Sequence, residues 1–384
     1  MAQIESLETP VGPLEIVPDN ASAADIADSV ECLDVASGND WTLFRGDCCE
    51  ITKGFPDNSI DLIVHSPPFS NLYVYSDSEA DMGNNDTDEA FFEHYRFLVK
   101  ELYRITTPGR LCVIHCKDLP AYFGRDDYAG LRPFPDQCKR VFMEEGWQYH
   151  SLVTIWKCPV IERARTNSYG LLHQQLCKDS AASRQGMPDY LVVMRKWDGL
   201  SPMDFPKPVR HPDGGYVEEP YRFDSYIGSL PPGSEWHWEF REVESEDGER
   251  QRFEILVTPG GGVAYSRRDY SIQVWQRYAS PVWFDVNQTN VLSYEQARDD
   301  KDERHICPLQ MDVVERCVHL WSNPGDVVFD PFNGIGSTGV GALKHGRKYV
   351  GTELKESYFR VACRMLSGEE NRGKQKALPG MEDL

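Results

Sequence analysis

The sequence predicts an α/β protein: a doubly wound, mainly parallel sheet covered by helices, with a separate module inserted late in the chain. Three observations carry this. Short apolar runs recur at Ile60 to Val64, Leu111 to His115, Tyr190 to Met194 and Val327 to Phe329, as buried parallel strands require. Stretches with helical spacing separate them, so strands and helices alternate. After Trp197 that rhythm stops. Pro and Gly crowd the chain up to Gly262, with Trp236, Trp238, Phe240 and Phe253 among them, and the alternation returns only near Gln310.

Taken in order, residues 1–40 are rich in Asp, Glu, Ala, Ser and Pro without periodicity, and read as an acidic, mobile arm. Trp41 to Arg45 reads as a strand ending at Gly46-Asp47; a short helical stretch follows, and Pro56-Asp57-Asn58-Ser59 makes a turn. Ile60 to Val64 then delivers the chain into Ser66-Pro67-Pro68-Phe69. Asp88 to Ile105 sets Phe91, Phe92, Tyr95, Leu98, Leu102 and Ile105 along one side of a helix, which Pro108-Gly109 is expected to stop. Leu111 to His115 is a strand, Phe134 to Glu145 a helix, and Trp147 to Trp156 and Tyr190 to Met194 two more strands. Gln310 to Trp321 is helical, Val327 to Phe329 a strand, and a helix ending near Gly346 leads to a last strand, Lys348 to Gly351. This divides the chain into two halves of one domain (41–196 and 305–366), an insertion (197–304) and a polar tail (367–384).

Composition narrows the function. With 384 residues and 40% hydrophobic side chains the chain can bury a sizeable core. It has no apolar run of about eighteen residues and no basic-then-apolar leader, so neither a membrane span nor export is expected. The 11 cysteines are scattered, with no C-x-x-C pair, which suits reduced thiols in a cytoplasmic protein and no metal site. The formal net charge of −21 opposes binding to polyanions, but the excess is partly local, at Glu242 to Glu249 and Asp299 to Glu303. Lys157 to Lys196 goes the other way, with seven cationic side chains against three anionic ones.

Two motifs carry chemistry. Val327-Val-Phe-Asp330-Pro-Phe332-Asn-Gly334-Ile-Gly336-Ser337-Thr338 runs from a buried strand through glycine turns into a helix N-terminus, the way a doubly wound sheet builds a cofactor crevice. Gly334 and Gly336 let backbone approach a ligand, and Glu353, after the next strand, is placed to accept hydrogen bonds from a ribose diol. No Gly-Lys-Ser/Thr follows, so this is no phosphate loop, and the acidic surroundings suit a cationic cofactor. In the second motif, Pro67 and Pro68 stiffen a strand end so that the Ser66 hydroxyl and the Pro67 carbonyl face outward, with Phe69 as a flat surface. An aromatic amino group is a weak nucleophile because its lone pair is delocalised. Acceptors that take its hydrogens restore that lone pair, and an aromatic ring offsets the stacking lost by a base swung out of a helix. The plainer alternative is a rigid surface turn with a packed Phe.

Together the motifs resemble the amino-directed DNA methyltransferases (N4-cytosine and N6-adenine), which pair an S/D/N-P-P-F/Y motif with Asp-Pro-Phe-x-Gly-x-Gly. The catalytic motif comes first here, as in the permuted β arrangement. The resemblance covers roughly Trp41 to Tyr190 and His305 to Leu366, and the flanking text looks like phage and prophage members. It implies a Rossmann-like domain binding S-adenosylmethionine, with Asp330, Phe332, Gly334, Gly336, Ser337 and Thr338 lining the pocket and Glu353 on the ribose. Asp47 matches the position that contacts the adenine ring, and His305, Pro308 and Gln310 the segment closing over the methionine part. The insertion would be a target-recognition module acting on double-stranded DNA, in the setting of restriction-modification. A homodimer is compatible with the family. Lys157, Arg163, Arg165, Lys178, Arg184, Arg267, Arg268 and Arg277 are expected DNA contacts. Ser at the first motif position is typical of N4-cytosine enzymes and favours cytosine over N6-adenine. RNA or protein-amide methylation, or a non-catalytic DNA-binding relative, are the alternatives. His115, at a strand end, reads as structural or as lining the base pocket.

Overall fold

The computed structural model describes residues 23–70, 81–85, 87–166, 173–182, 185–197, 199, 237–244, 250–257, 263–266, 275–293 and 308–376. The chain divides into two compact units, 1–197 with 284–384, and 198–283. In chain order the first begins with α1 (Ala23–Ser29), β1 (Asp34–Ser37), β2 (Trp41–Arg45), α2 (Cys48–Lys53), β3 (Ile60–His65), α3 (Asp88–Ile105) and β4 (Thr106–Cys116). It continues with β5 (Leu119–Ala121), α4 (Phe123–Asp126), β6 (Gly130–Arg132), α5 (Phe134–Glu144), β7 (Gln148–Ile155), α6 (Pro159–Thr166), α7 (His173–Lys178) and β8 (Asp189–Arg195). The second unit supplies β9 (His237–Glu244), β10 (Arg250–Val257), β11 (Val263–Ser266) and β12 (Val282–Trp283). The first then resumes with α8 (Met311–Trp321), β13 (Val327–Asp330), α9 (Ser337–Lys344), β14 (Lys348–Glu353) and α10 (Glu356–Lys376).

In the first unit the strands lie in the order β1-β2-β14-β13-β3-β4-β8-β7. The five from β2 to β4 are mutually parallel, and β1 and β8 run against their neighbours. β13 is buried along its whole length, as an interior strand covered on both faces must be. From β13 the chain crosses through α9 to β14 on one side; from β3 it crosses through α3 to β4 on the other. The order therefore reverses between β13 and β3, and a crevice opens outside their carboxyl ends. Their register, Val328 beside Leu62 and Phe329 beside Ile63, brings motifs from opposite ends of the chain to one sheet edge.

Helix α3 follows its pattern. Thr87 caps it, its hydroxyl accepting the Ala90 N–H at 3.1 Å, and Phe91, Phe92, Tyr95, Leu98, Val99, Leu102 and Ile105 are buried. They form an aromatic core with Phe134, Phe142 and Trp147. In the second unit β11, β10 and β9 make a three-stranded antiparallel sheet. No helix among the described residues is long and apolar enough to cross a membrane.

Three expectations are corrected, and the polar tail gains a structure. Residues 23–40 are not an unstructured arm: α1 buries Ala23 and Ile26, and β1 pairs with β2, while the rest of the expected arm, 1–22, lies outside the described residues. Ile26 and Val30 lie so close over Gly54 that a side chain there would meet them, which is how α1 docks. Pro108-Gly109 does not end α3, which passes at Thr106 directly into β4. The pair forms a bulge instead, since β4 meets β3 at Ile60–Thr106 and next at Leu62–Leu111, with Gly109 at φ 84°. The tail is helical to Lys376, and Glu370 accepts the N–H groups of Asn39 and Asp40 at 2.5 and 3.1 Å. Residues 284–293, counted with the insertion in the sequence reading, belong to the first unit.

Candidate active site

The sheet ladder cannot continue beyond His65, because Pro67 and Pro68 have no N–H. His65 is wholly buried. Its Nε2 lies 2.6 Å from the Tyr95 hydroxyl, its ring packs on Phe142 and Phe332, and burial lowers its pKa to about 3, so it is neutral. That anchors the residue before Ser66. At the other end of the turn Ser70 adopts a left-handed φ of 53°. Its hydroxyl bonds Asp88 at the start of α3, and Asp88 pairs with Arg132 at 2.5 Å. The Pro68 carbonyl accepts the Ser70 N–H at 2.9 Å; the Pro67 carbonyl accepts no hydrogen bond among the described residues. Ser66 Oγ lies 3.2 Å from both Nδ1 and the carbonyl oxygen of His115. Phe69 is half-buried and packs edgewise on Phe134 with centroids 6.1 Å apart.

Beside this turn β13 ends in Asp330. Burial pushes its carboxyl up to about 7, although it accepts the Phe332 N–H at 2.9 Å and the Thr338 hydroxyl at 2.7 Å. Gly336 caps α9 at φ 94°, a conformation strained for any residue with a Cβ. Glu353, at the end of β14, accepts the N–H groups of Gly334 and Lys355 at 2.7 and 2.8 Å, and burial pushes its carboxyl up to about 8. Asp47 caps α2 through the Cys49 N–H at 2.8 Å, and burial raises its pKa as well. The Cys49 side chain and burial hold the Cys48 thiol well above its usual range.

These elements enclose a cavity of about 210 Å³. Asp47, Ser66, Pro67, Pro68, Phe69, Pro308, Asp330, Phe332, Gly334, Ser337, Thr338 and Glu353 all line it. Gly336 shapes the loop beside it. Gln310 is buried next to Pro308 and Leu309, with its Oε1 unpartnered among the described residues. His305 lies outside the described residues. Sequence reasoning missed Asp81, Met82, Lys355 and Tyr358, which also line the cavity. Lys355 and Tyr358 were findable, being close after Glu353; Asp81 and Met82 carry no such signal.

The wall holds four carboxyl groups, Asp47, Asp81, Asp330 and Glu353, and one Lys, Lys355. Such a cavity favours a cation and repels phosphate.

Among the expected DNA contacts, Lys157 is corrected. It is 9% exposed and its Nζ lies 2.5 Å from Asp189 Oδ2, so its ammonium serves the interior. Lys178 is exposed at the end of α7, and Arg277 is exposed in the second unit. The side chains of Arg163 and Arg165 in α6, and Arg184, Arg267 and Arg268, lie outside the described residues.

A family model for N6/N4 methylases, described as DNA methylase, matches residues 60–364, from the strand before Ser66 to the helix after Glu353. The chain belongs to this DNA methylase family. It is a DNA methyltransferase, and both motifs fall inside the matched span. Type II methyltransferase M.Cfr9I of Citrobacter freundii is 22% identical over 86% of this chain and 89% of its own length. M.BglI of Bacillus subtilis is 24% identical over 83% of each. The match to M.BglII of Bacillus subtilis is stronger but shorter, 35% over 22% of this methylase, and the chain spans only 24% of that relative. A solved structure from Thermus thermophilus, described as a candidate DNA modification methylase complexed with S-adenosyl-L-methionine, shares the fold. It is 20% identical, its TM-score is 0.51, and the likeness covers 88% of this chain and 96% of that one.

Proposed function

We propose that this methyltransferase uses S-adenosylmethionine to methylate the exocyclic amino group of a flipped base in double-stranded DNA, N4 of cytosine, with Ser66-Pro67-Pro68-Phe69 holding the base. What carries the reading is the convergence of both motifs on one cavity. S-adenosylmethionine is a cation with a ribose diol, and the residues present fit it. Glu353 would accept from the ribose hydroxyls and Asp47 from the adenine ring, and Pro308 would close over the methionine part, with Gln310, buried and not itself lining the cavity, supporting that segment. When bound, the cofactor supplies an electrophilic methyl group on a sulfonium.

The chain's own residues prepare the nucleophile. The Pro67 carbonyl and Ser66 Oγ accept the two hydrogens of the amino group, which localises its lone pair and stabilises the positive charge that develops on nitrogen. Phe69, braced by Phe134, stacks on the base. Phe69→Ala is expected to lower kcat/KM for DNA about tenfold, since base–aromatic stacking is worth about 1–3 kcal/mol, with cofactor affinity unchanged. Steady-state kinetics with labelled cofactor check this.

N6 of adenine is the second reading, supported by a family model that spans both chemistries. The type II names of the relatives support a role in modification beside a restriction enzyme, in the cytoplasm. Arg163, Arg165, Lys178, Arg184, Arg267, Arg268 and Arg277 are proposed to meet DNA. Incubation with tritium-labelled cofactor and duplex DNA tests the substrate class: label should enter DNA, and label in RNA or protein instead contradicts the reading.

A further inference from the structure

Behind Ser66 runs a chain of polar groups that no step above uses. His115, the penultimate residue of β4, is 8% exposed, and its Nδ1 lies 3.2 Å from Ser66 Oγ. Its Nε2 lies 3.1 Å from Asp189 Oδ2, at the start of the neighbouring antiparallel strand β8. Lys157 Nζ, just after β7, lies 2.5 Å from the same Asp189 oxygen. Four neighbouring strands of one sheet, β3, β4, β8 and β7, thus bring hydroxyl, imidazole, carboxylate and ammonium into one chain of contacts, the last three nearly out of solvent.

The tautomer follows from the partners. Asp189 is ionised: burial alone would raise its carboxyl, but the bonds from His115 and Lys157 outweigh that and hold it well below the usual range. A carboxylate can only accept, so Nε2 carries the hydrogen and Nδ1 of the neutral ring is an acceptor. Ser66 then gives its hydroxyl hydrogen to Nδ1 or to the His115 carbonyl. In either case that hydrogen is directed at His115, and the oxygen lone pairs remain for the cavity.

We propose that His115, oriented by Asp189 and Lys157, is a positioning and proton-accepting residue that makes Ser66 an acceptor and drains the proton released by methyl transfer. The proposal rests on the amino-transfer reading. The nitrogen lone pair forms the N–C bond while the methyl–sulfur bond breaks, its electron pair staying on sulfur. The nitrogen, now positive, releases one proton to Ser66 Oγ as the Ser66 hydroxyl proton moves to His115 Nδ1. The imidazolium so formed is held by the Asp189 carboxylate and loses its proton to water before the next turnover. No residue ends the cycle changed, and Asp189 stays ionised throughout.

His115 meets Ser66, just after β3, and Asp189 of β8, which Lys157, just after β7, bonds in turn. At the end of its own strand Cys116 has a buried thiol held well above its usual range, and Lys117, the residue after the strand, pairs with Glu162 of α6 at 3.7 Å. Asp189 is therefore the group that orients the ring and fixes its hydrogen on Nε2.

The test is the pH dependence of single-turnover methyl transfer with the full-length enzyme, labelled S-adenosylmethionine and duplex DNA. With S-adenosylmethionine saturating at every pH, the wild-type rate should fall on the acid side once the relay behind Ser66 can no longer take up the released proton. His115→Gln should lower the rate about a hundredfold and abolish that acid limb. Asp189→Asn removes the charge that holds the imidazolium and the acceptor that fixes Nε2–H, so the rate should drop here as well. Cofactor affinity, measured in parallel, should be unchanged in both and reports folding. A wild-type rate and acid limb in folded His115→Gln overturn the relay. Ser66→Ala separates the two ideas: slow Ser66→Ala with normal His115→Gln refutes the relay alone, whereas normal rates in both refute the amino-transfer reading beneath it.

Discussion

Replacing Ser66 by alanine is expected to slow methyl transfer by about a hundredfold, the cost of losing one preorganised polar contact to the developing charge. The affinity for S-adenosylmethionine should not change, because Ser66 sits on the β3 side of the crevice and the carboxylates that fit the cofactor end β13 and β14. The alanine removes the acceptor for one amino hydrogen and leaves only the Pro67 carbonyl. The fold around it should survive, since His65, Tyr95 and the Ser70–Asp88–Arg132 contacts brace the turn independently. Single-turnover rates at saturating DNA, beside calorimetric cofactor binding, separate the two effects.

Glu353→Ala is expected to do the reverse, weakening cofactor binding by about 3 kcal/mol, roughly a hundredfold, through loss of charge-assisted bonds to the ribose. Part of that loss is indirect, because Glu353 also holds the Gly334 N–H and so shapes the glycine loop. The same carboxylate predicts a pH dependence. Burial pushes Glu353 up to about 8 and Asp330 up to about 7, so at neutral pH these groups are wholly or partly protonated. A ribose diol donates hydrogen bonds and a sulfonium brings positive charge; both favour the ionised carboxylate. Binding should therefore release protons, and affinity should rise from about pH 6 to about pH 8.5, by tens of fold if Glu353 alone must ionise. Calorimetry in buffers of different ionisation enthalpy measures that release directly. Glu353→Gln should flatten the dependence.

Much of the fold was legible because its local and long-range signals agree. Asp88 to Ile105 has caps, periodicity and a buried face that all say helix, and the helix spans those residues. Where one strong local signal competed with packing, packing prevailed. Pro108-Gly109 would end a helix in isolation, yet the need to pair β4 with β3 absorbs it as a bulge. The acidic segment before Trp41 lacks periodicity because α1 and β1 are too short to display any, and Ile26 and Val30 over Gly54 hold them. Both motifs were visible because proline and glycine at strand ends are constraints of backbone chemistry. Lys157 misled because charge in a sequence does not say which way a side chain points; its partner Asp189 lies on another strand. The His115–Asp189–Lys157 chain was invisible for the same reason, being set by antiparallel register between β4, β8 and β7.

The measurement closest to the central claim is mass spectrometry of nucleosides from duplex DNA incubated with the enzyme and methyl-labelled S-adenosylmethionine. The account predicts label on the exocyclic nitrogen of cytosine, as N4-methyldeoxycytidine, lost with Ser66→Ala. Label on the exocyclic nitrogen of adenine would keep the mechanism and change the base. Label on carbon 5 of cytosine, or none in DNA, would contradict the account.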